Sequence, residues 1–226
     1  MAMEKGYIEG KIDLDDIQTV DVTLIGEDKA KITKRLSLSE YIAILSDQAD
    51  TWLEIPQFPY GTVKTKWQDK GNYITTVYVP KDVRPTIFMK KGSPLMIPYP
   101  NMVFYFTLKN GHLSASGCYA VKEDRLSLTD ESKLYRYPFG NVYTGDGRIC
   151  WGGNFVGDVK EPIQLERLIS LFFDAATNSD LYQPGISCKK NISLEDLYLE
   201  VSGKEIFDEK LLSDSGRVFR DLYKGH

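Results

Sequence analysis

Cys150 closes a run whose residue types suit covalent chemistry: Leu134-Tyr135-Arg136-Tyr137-Pro138-Phe139-Gly140-Asn141-Val142-Tyr143-Thr144-Gly145-Asp146-Gly147-Arg148-Ile149-Cys150-Trp151-Gly152-Gly153. A cysteine thiolate is an intrinsically strong nucleophile at a pH where other side chains need more help. Gly145, Gly147, Gly152 and Gly153 bracket it, and residues without a Cβ let a foreign backbone come close. The Pro138-Phe139-Gly140-Asn141 segment reverses the chain and directs the Asn141 amide toward the thiol, where two readings stand. The amide is either a donor to an oxyanion formed during attack or a group that ties its own turn. A lone cysteine is more often a small buried hydrophobe. The glycine bracket sets Cys150 apart from Cys118, which falls within an expected strand, and from Cys188, which sits beside Lys189 and Lys190 in an expected loop. His112 falls at a turn and His226 at the end of the sequence, so activation of Cys150 is left to local dipoles or a partner.

The same segment resembles the ubiquitin-conjugating enzymes, in which a His-Pro-Asn segment precedes a short irregular stretch, a glycine and an Ile-Cys-Leu-type tripeptide. Tyr137-Pro138 and Asn141, then Gly147, then Ile149-Cys150-Trp151 take those places here, and the stretch from Pro162 to Ala176 takes that of a later amphipathic helix. The sequence is similar, more closely, to prokaryotic family D of that superfamily, which includes protein B of the plasmid and phage cassettes called PRTRC. That similarity runs through Leu134-Tyr135-Arg136, through Pro138 to Tyr143, through Asp146 to Gly152, and through the Phe172-Phe173 pair. It covers roughly residues 73–176. Tyr137 stands where the eukaryotic histidine would be, and two extra residues separate Pro138 from Asn141; family D is expected to lack that histidine.

The resemblance implies an α+β, UBC-like fold: an antiparallel β-meander with helices packed on one face. Residues 1–60 would form an N-terminal β-hairpin and helix, and 61–226 the catalytic domain. It also implies trans-thioesterification, in which Cys150 takes the C-terminal acyl group of a ubiquitin-like protein from a ThiF-like adenylating enzyme and passes it to an amine. Asn141 would then be the oxyanion donor, and Tyr143, Asp146, Gly147, Trp151 and Gly152 would line the groove for the donor tail. Asp146 or Asp158 would orient the amine, although turn or cap service accounts for both acids more simply, and core packing accounts equally for Tyr143 and Trp151. A JAB-type deconjugating metalloprotease belongs to such a pathway, which serves plasmid upkeep or antiviral defence. Two other readings stay open. One is a non-catalytic docking module on the same fold. The other is a cysteine hydrolase, which needs a histidine base and has only His112 and His226 to draw on.

Composition bounds these readings. With 226 residues, 42% of them apolar, the chain can bury one sizeable core or a core with an appended subdomain. A net charge of −4 argues against a nucleic-acid partner held through its phosphates. The basic run from Lys29 to Arg35 alternates charge with apolar residues and reads as the solvated face of a strand. Three cysteines without a CxxC pair, and two histidines, supply neither a disulfide framework nor a four-ligand zinc site, so no metal or cofactor is expected. No apolar run has bilayer-spanning length and the first ten residues hold no signal segment, so a cytoplasmic protein with no membrane partner is expected.

The elements that must position the thiol are legible as hydrophobic periodicities. Ile17 to Leu24 and Ala30 to Leu36 predict a hairpin with its turn at Gly26-Glu27-Asp28. Ser37 and Glu40 have capping-box spacing ahead of a helix from Leu38 to Asp50, its apolar stripe formed by Leu38, Ile42, Leu45, Ala49 and Trp52. Val63–Trp67, Tyr73–Val79, Asn101–Leu108 and Leu113–Val121 predict a meander, with Asn110-Gly111 as a tight hairpin turn. Beyond Cys150 the period lengthens to 3.6. Leu165, Leu168, Ile169, Phe172 and Ala176 make one helical stripe after Pro162. Ser193 opens a second helix, Gly203 ends it, and residues 213–226 carry a weak helical pattern.

Overall fold

The computed structural model describes residues 7–12, 19–25, 31–42, 56–69, 71–88 and 93–224. The chain divides into two compact units, Met1–Ile55 and Pro56–His226. In the first, β1 (Tyr7–Ile12), β2 (Thr19–Ile25) and β3 (Lys31–Ser37) form an antiparallel sheet in that order. β1 adds a strand to the expected hairpin; Glu9, Gly10 and Lys11 interrupt its apolar pattern and hide it from the sequence reading. Val20 lies opposite Leu36, and both are buried with Val22, while Leu38 and Tyr41 pack on them. Residues 31–35 are exposed, and Arg35 forks onto Asp21 across the strands at 2.7 and 2.9 Å. The capping box forms as the spacing predicts: Ser37 N–H donates to Glu40 at 2.9 Å, and Glu40 N–H to Ser37 Oγ at 3.2 Å. Helix follows through residue 42. The turn at 26–28, the remainder of the expected helix with Leu45, Ala49 and Trp52, and His226 lie outside the described residues.

The second unit is built on a six-stranded sheet. In chain order its elements are β4 (Thr62–Asp69), β5 (Asn72–Val79), β6 (Asp82–Ile87), β7 (Pro94–Tyr99), β8 (Asn101–Lys109), β9 (His112–Val121), β10 (Lys133–Tyr135), α1 (Leu165–Asp174), α2 (Leu194–Val201) and β11 (Asp214–Val218). The sheet runs β11-β10-β9-β8-β5-β4, all antiparallel, and β6 with β7 makes a separate two-stranded ribbon. Asn110 and Gly111 take φ of 53° and 79°, which is the geometry of the tight β8–β9 turn. The β4–β5 turn is shorter than Gln68 to Asn72, because Asp69 accepts from Gly71 N–H at 2.8 Å and from the Asn72 amide at 3.0 Å, closing the turn on itself.

β8 is buried from Asn101 through Leu108. Its side chains alternate between two cores, as a pleated strand requires. Met102, Phe104, Phe106 and Leu108 join the larger core with Leu165, Leu168, Phe172 and Phe173 of α1 and Leu194, Leu197, Tyr198 and Val201 of α2. Both α-helices therefore cover one face, the α+β arrangement that strands followed by helices predict. Val103 and Tyr105 point the other way, into a second cluster with Tyr119, Leu134, Phe219 and Leu222. That face is sealed by β11 and a 3₁₀ turn at Phe219–Tyr223, where the sequence pattern suggested a helix. Asp214 to Val218 lacks an apolar stripe, and pairing with β10 overrides its local preference.

Two further corrections concern α1. Pro162 begins a 3₁₀ turn, Pro162–Gln164, that leads into α1 instead of forming its first residue. The helix ends at Asp174, so Ala176 is exposed beyond it and leaves the expected stripe. The sequence reading named no element for the β6–β7 region; the ribbon accommodates Pro85, Pro94 and Pro98 because a two-stranded pairing leaves the outer amide side of each strand free. Arg84 of this ribbon lies 4.1 Å above the Phe173 ring, and Thr177 N–H donates to Ile87 O at 2.8 Å, so it frames the end of α1. Among the described residues no helix is long and apolar enough to cross a membrane. Phe104 is 0% exposed and meets Phe172 and Phe173 at 5.2 and 5.8 Å between ring centroids. Phe104→Ala is expected to lower unfolding free energy by about 3–5 kcal/mol, read as a shift of the urea midpoint; a loss under about 1 kcal/mol would contradict this packing.

Candidate functional site

The segment holding Cys150 is laid against β9. Gly117 faces Arg148 in an isolated antiparallel bridge. Cys118 N–H donates to Gly147 O at 2.9 Å, and Ile149 N–H to Ser116 O at 3.0 Å. A second bridge joins Val142 to Ile149, closed by Tyr143 N–H to Arg148 O and Gly147 N–H to Tyr143 O, both 2.9 Å. The carbonyl of Asn141 accepts the Cys150 N–H at 2.8 Å. Residues 141–150 are thus a small closed hairpin whose stem begins at Asn141 and ends at the thiol.

Anchoring comes from the segment before it. Tyr137, Phe139 and Val142 are buried in the larger core, and Phe139 stacks on Tyr198 at 5.1 Å. Tyr137, in the place of the eukaryotic histidine, faces Tyr99 and the core, and burial holds its phenol well above the ordinary value. Asn141 takes a left-handed φ of 68°, and its side-chain amide donates to Ala176 O at 3.0 Å. It ties the hairpin to the residues after α1 instead of to its own turn.

The four glycines of the bracket divide into two kinds. A Cβ on Gly145, Gly152 or Gly153 would meet nothing within 4 Å. One on Gly147, whose φ is 71°, would lie 2.4 Å from Tyr119 Cζ. Gly147 therefore admits the chain's own tyrosine and not a foreign backbone. Gly117, which the sequence reading passed over, is as constrained: its Cβ would lie 2.3 Å from Tyr105 Cε1 and 2.4 Å from Gly147 O. Its position in an otherwise regular strand was the available signal. Tyr119 was missed as well, and its phenol donates to Asp146 O at 2.6 Å.

Around the thiol, Ile149 is buried while Arg148 faces outward and Cys150 is half-buried. Arg148 pairs with Asp146 at 2.6 Å and covers the Tyr143 ring at 5.0 Å. A cleft of about 440 Å³ is lined by Tyr143, Gly145, Asp146, Arg148, Asp180 and Leu181, among others. Trp151 packs on the core and donates its indole N–H to Ser116 Oγ at 2.9 Å, while Gly152 beyond it is exposed with φ of 55°. Asp158 is drawn elsewhere: it lies 3.1 Å from His112 Nδ1 at the opening of β9, both groups exposed. Cys118 and Cys188 are 0% exposed. Burial pushes the Cys118 thiol well above its ordinary value, and Cys188 contacts the Tyr182 hydroxyl at 3.3 Å. Among the described residues no group of three or more His, Cys, Asp or Glu is placed to hold a metal ion.

The sequence matches the model of the prokaryotic E2 family D over residues 48–214. The chain belongs to that family. The match takes in all of the hairpin from Asn141 to Cys150 and both helices. No curated protein and no solved structure matches the chain.

The burial pattern sets an expectation for thiol chemistry. A colorimetric thiol titration of the native protein should find one reactive cysteine of the three, absent in Cys150→Ser, and all three after denaturation. Two or more reactive thiols in the native state would contradict the burial of Cys118 and Cys188.

Proposed function

We propose that this protein is a conjugating enzyme of UBC-like fold that carries a ubiquitin-like protein as a thioester on Cys150 and passes it to an amine. The single observation behind this reading is that, of the three cysteines, the fold buries two and leaves Cys150 only half-buried, at the end of a closed hairpin. In the first step the Cys150 thiolate attacks the activated C-terminal carbonyl of the ubiquitin-like protein on a ThiF-like adenylating enzyme. A new C–S bond forms as the bond to the activating enzyme breaks, and the departing group leaves with the electron pair. In the second step an amine attacks the thioester, the C–N bond forms, the Cys150 thiolate departs and the amine's proton passes to solvent or a nearby base.

The roles proposed for the neighbouring residues are these. Asn141 holds the Cys150 N–H through its carbonyl, and the amide hydrogen that Ala176 does not take is the one left for an oxyanion. Tyr143 and Asp146, in the wall of the cleft, and Trp151 and Gly152, just past the thiol, are the surfaces for the donor tail. Gly147 serves the hairpin and not the tail. A JAB-type protease would reverse the conjugation. The hydrolase reading finds little support, since His112 is engaged with Asp158 and, among the described residues, makes no bond to Cys150. A docking module that has lost transfer activity is favoured by one observation: among the described residues no side chain hydrogen-bonds the Cys150 sulfur.

The deciding experiment incubates the protein with its cognate ubiquitin-like protein, adenylating enzyme and ATP. The expected product is an adduct released by thiol reductant, absent in Cys150→Ala and retained in Cys150→Ser as a reductant-resistant ester. Stable binding of the partners with no adduct at any time would replace the enzyme with the docking module. Asn141→Ala is expected to slow transfer by about a hundredfold if its amide serves the oxyanion.

A further inference from the structure

We infer that Tyr119 is a positioning residue for Cys150, acting as a latch that holds the thiol-bearing hairpin in its reactive register. The geometry stands by itself; only the consequence for acyl transfer rests on the thioester reading. Tyr119 lies on β9, two residues past Gly117, and is 2% exposed. Its hydroxyl donates to Asp146 O at 2.6 Å, and its ring fills the space where a Cβ of residue 147 would stand. The ring is backed by Tyr105 at 6.4 Å between centroids with planes 24° apart, so it cannot swing away without disturbing the second core.

The latch therefore engages the hairpin at the loop opposite its stem. At the stem, Asn141 O holds Cys150 N–H. Between these points, among the described residues, the two backbone bonds to Ser116 and Cys118 join hairpin to sheet, and Arg136 Nε donates to Thr144 O at 3.1 Å beside the loop. Asp146 is also the residue whose carboxylate orders Arg148, through Arg148 N–H at 3.1 Å and Nε at 2.6 Å. Releasing the Asp146 carbonyl loosens the loop at that residue, leaving Thr144 O on Arg136 as the neighbouring tie, and lets the Asp146–Arg148 pair that lines the cleft shift with it. Burial raises the Tyr119 hydroxyl to about 12, so it keeps its proton, and can donate, throughout the neutral range.

Tyr119→Phe isolates the hydroxyl, because the ring still packs on Gly147. Cys150 of this variant is expected to react with iodoacetamide about fivefold faster than in the parent, the hairpin opening more often for want of one hydrogen bond. In the charging assay the rate constant for thioester formation should fall about fivefold with KM for the activated partner little changed, since an open hairpin exposes the thiol without aligning it. These opposite changes separate a latch from general damage, which would raise labelling together with a lowered melting temperature. Gly147→Ala, which forces the ring aside, should produce the same pair of effects. Labelling at the parent rate in both variants would overturn the inference. Should no protein in the set form a thioester, the transfer reading fails, while the labelling comparison still decides the latch.

Discussion

The site depends on one close approach: the carbonyl of Gly147 resting against β9 where Gly117 has no side chain. Both backbone bonds between the thiol segment and β9, from Cys118 to Gly147 and from Ile149 to Ser116, require the two backbones to be that near. A side chain at either glycine would collide with Tyr105, Tyr119 or the opposing carbonyl. Cys150 is consequently held by the sheet and not by a free loop, and a side chain on a regular element is placed more precisely than one on a loop. The glycines outside the hairpin, Gly152 and Gly153, do the reverse: a Cβ on either would meet nothing within 4 Å.

That approach is only as firm as β9, and β9 is firm because β8 beside it has no solvent-facing side. Helices weight one face of β8 and the chain beyond residue 210 seals the other. The two cores meet through a single layer of backbone, so Phe104 and Tyr105, adjacent in sequence, report to opposite sides of the molecule. Tyr105 then touches Gly117 and stacks with Tyr119, which carries the rigidity of the second core to the thiol segment.

Much of this was legible in the sequence where a local rule governs. The Asn110-Gly111 turn, the Ser37–Glu40 box, the Ser193 cap and the alternation of β8 each rest on residues close in the chain. The prominence of Cys150 was legible from its glycines and from the family motif. What escaped depends on partners far apart in sequence. β11 is a strand because β10 is there to pair with it. The ribbon of β6 and β7 tolerates its prolines because its edges are open. The destination of the Asn141 amide, Ala176, lies thirty-five residues away, and Gly147 was credited to an incoming chain because Tyr119 was not known to be above it.

The order in which these parts are made has its own consequence. Phe219 and Leu222 follow β8 and the thiol hairpin in the chain, so on a translating ribosome the Val103–Tyr105 face emerges long before its cover. For that interval a nascent polypeptide displays an uncapped aromatic surface of the kind holdase chaperones bind. A messenger truncated ahead of β11 would thus encode an aggregation-prone sheet, not a smaller folded domain.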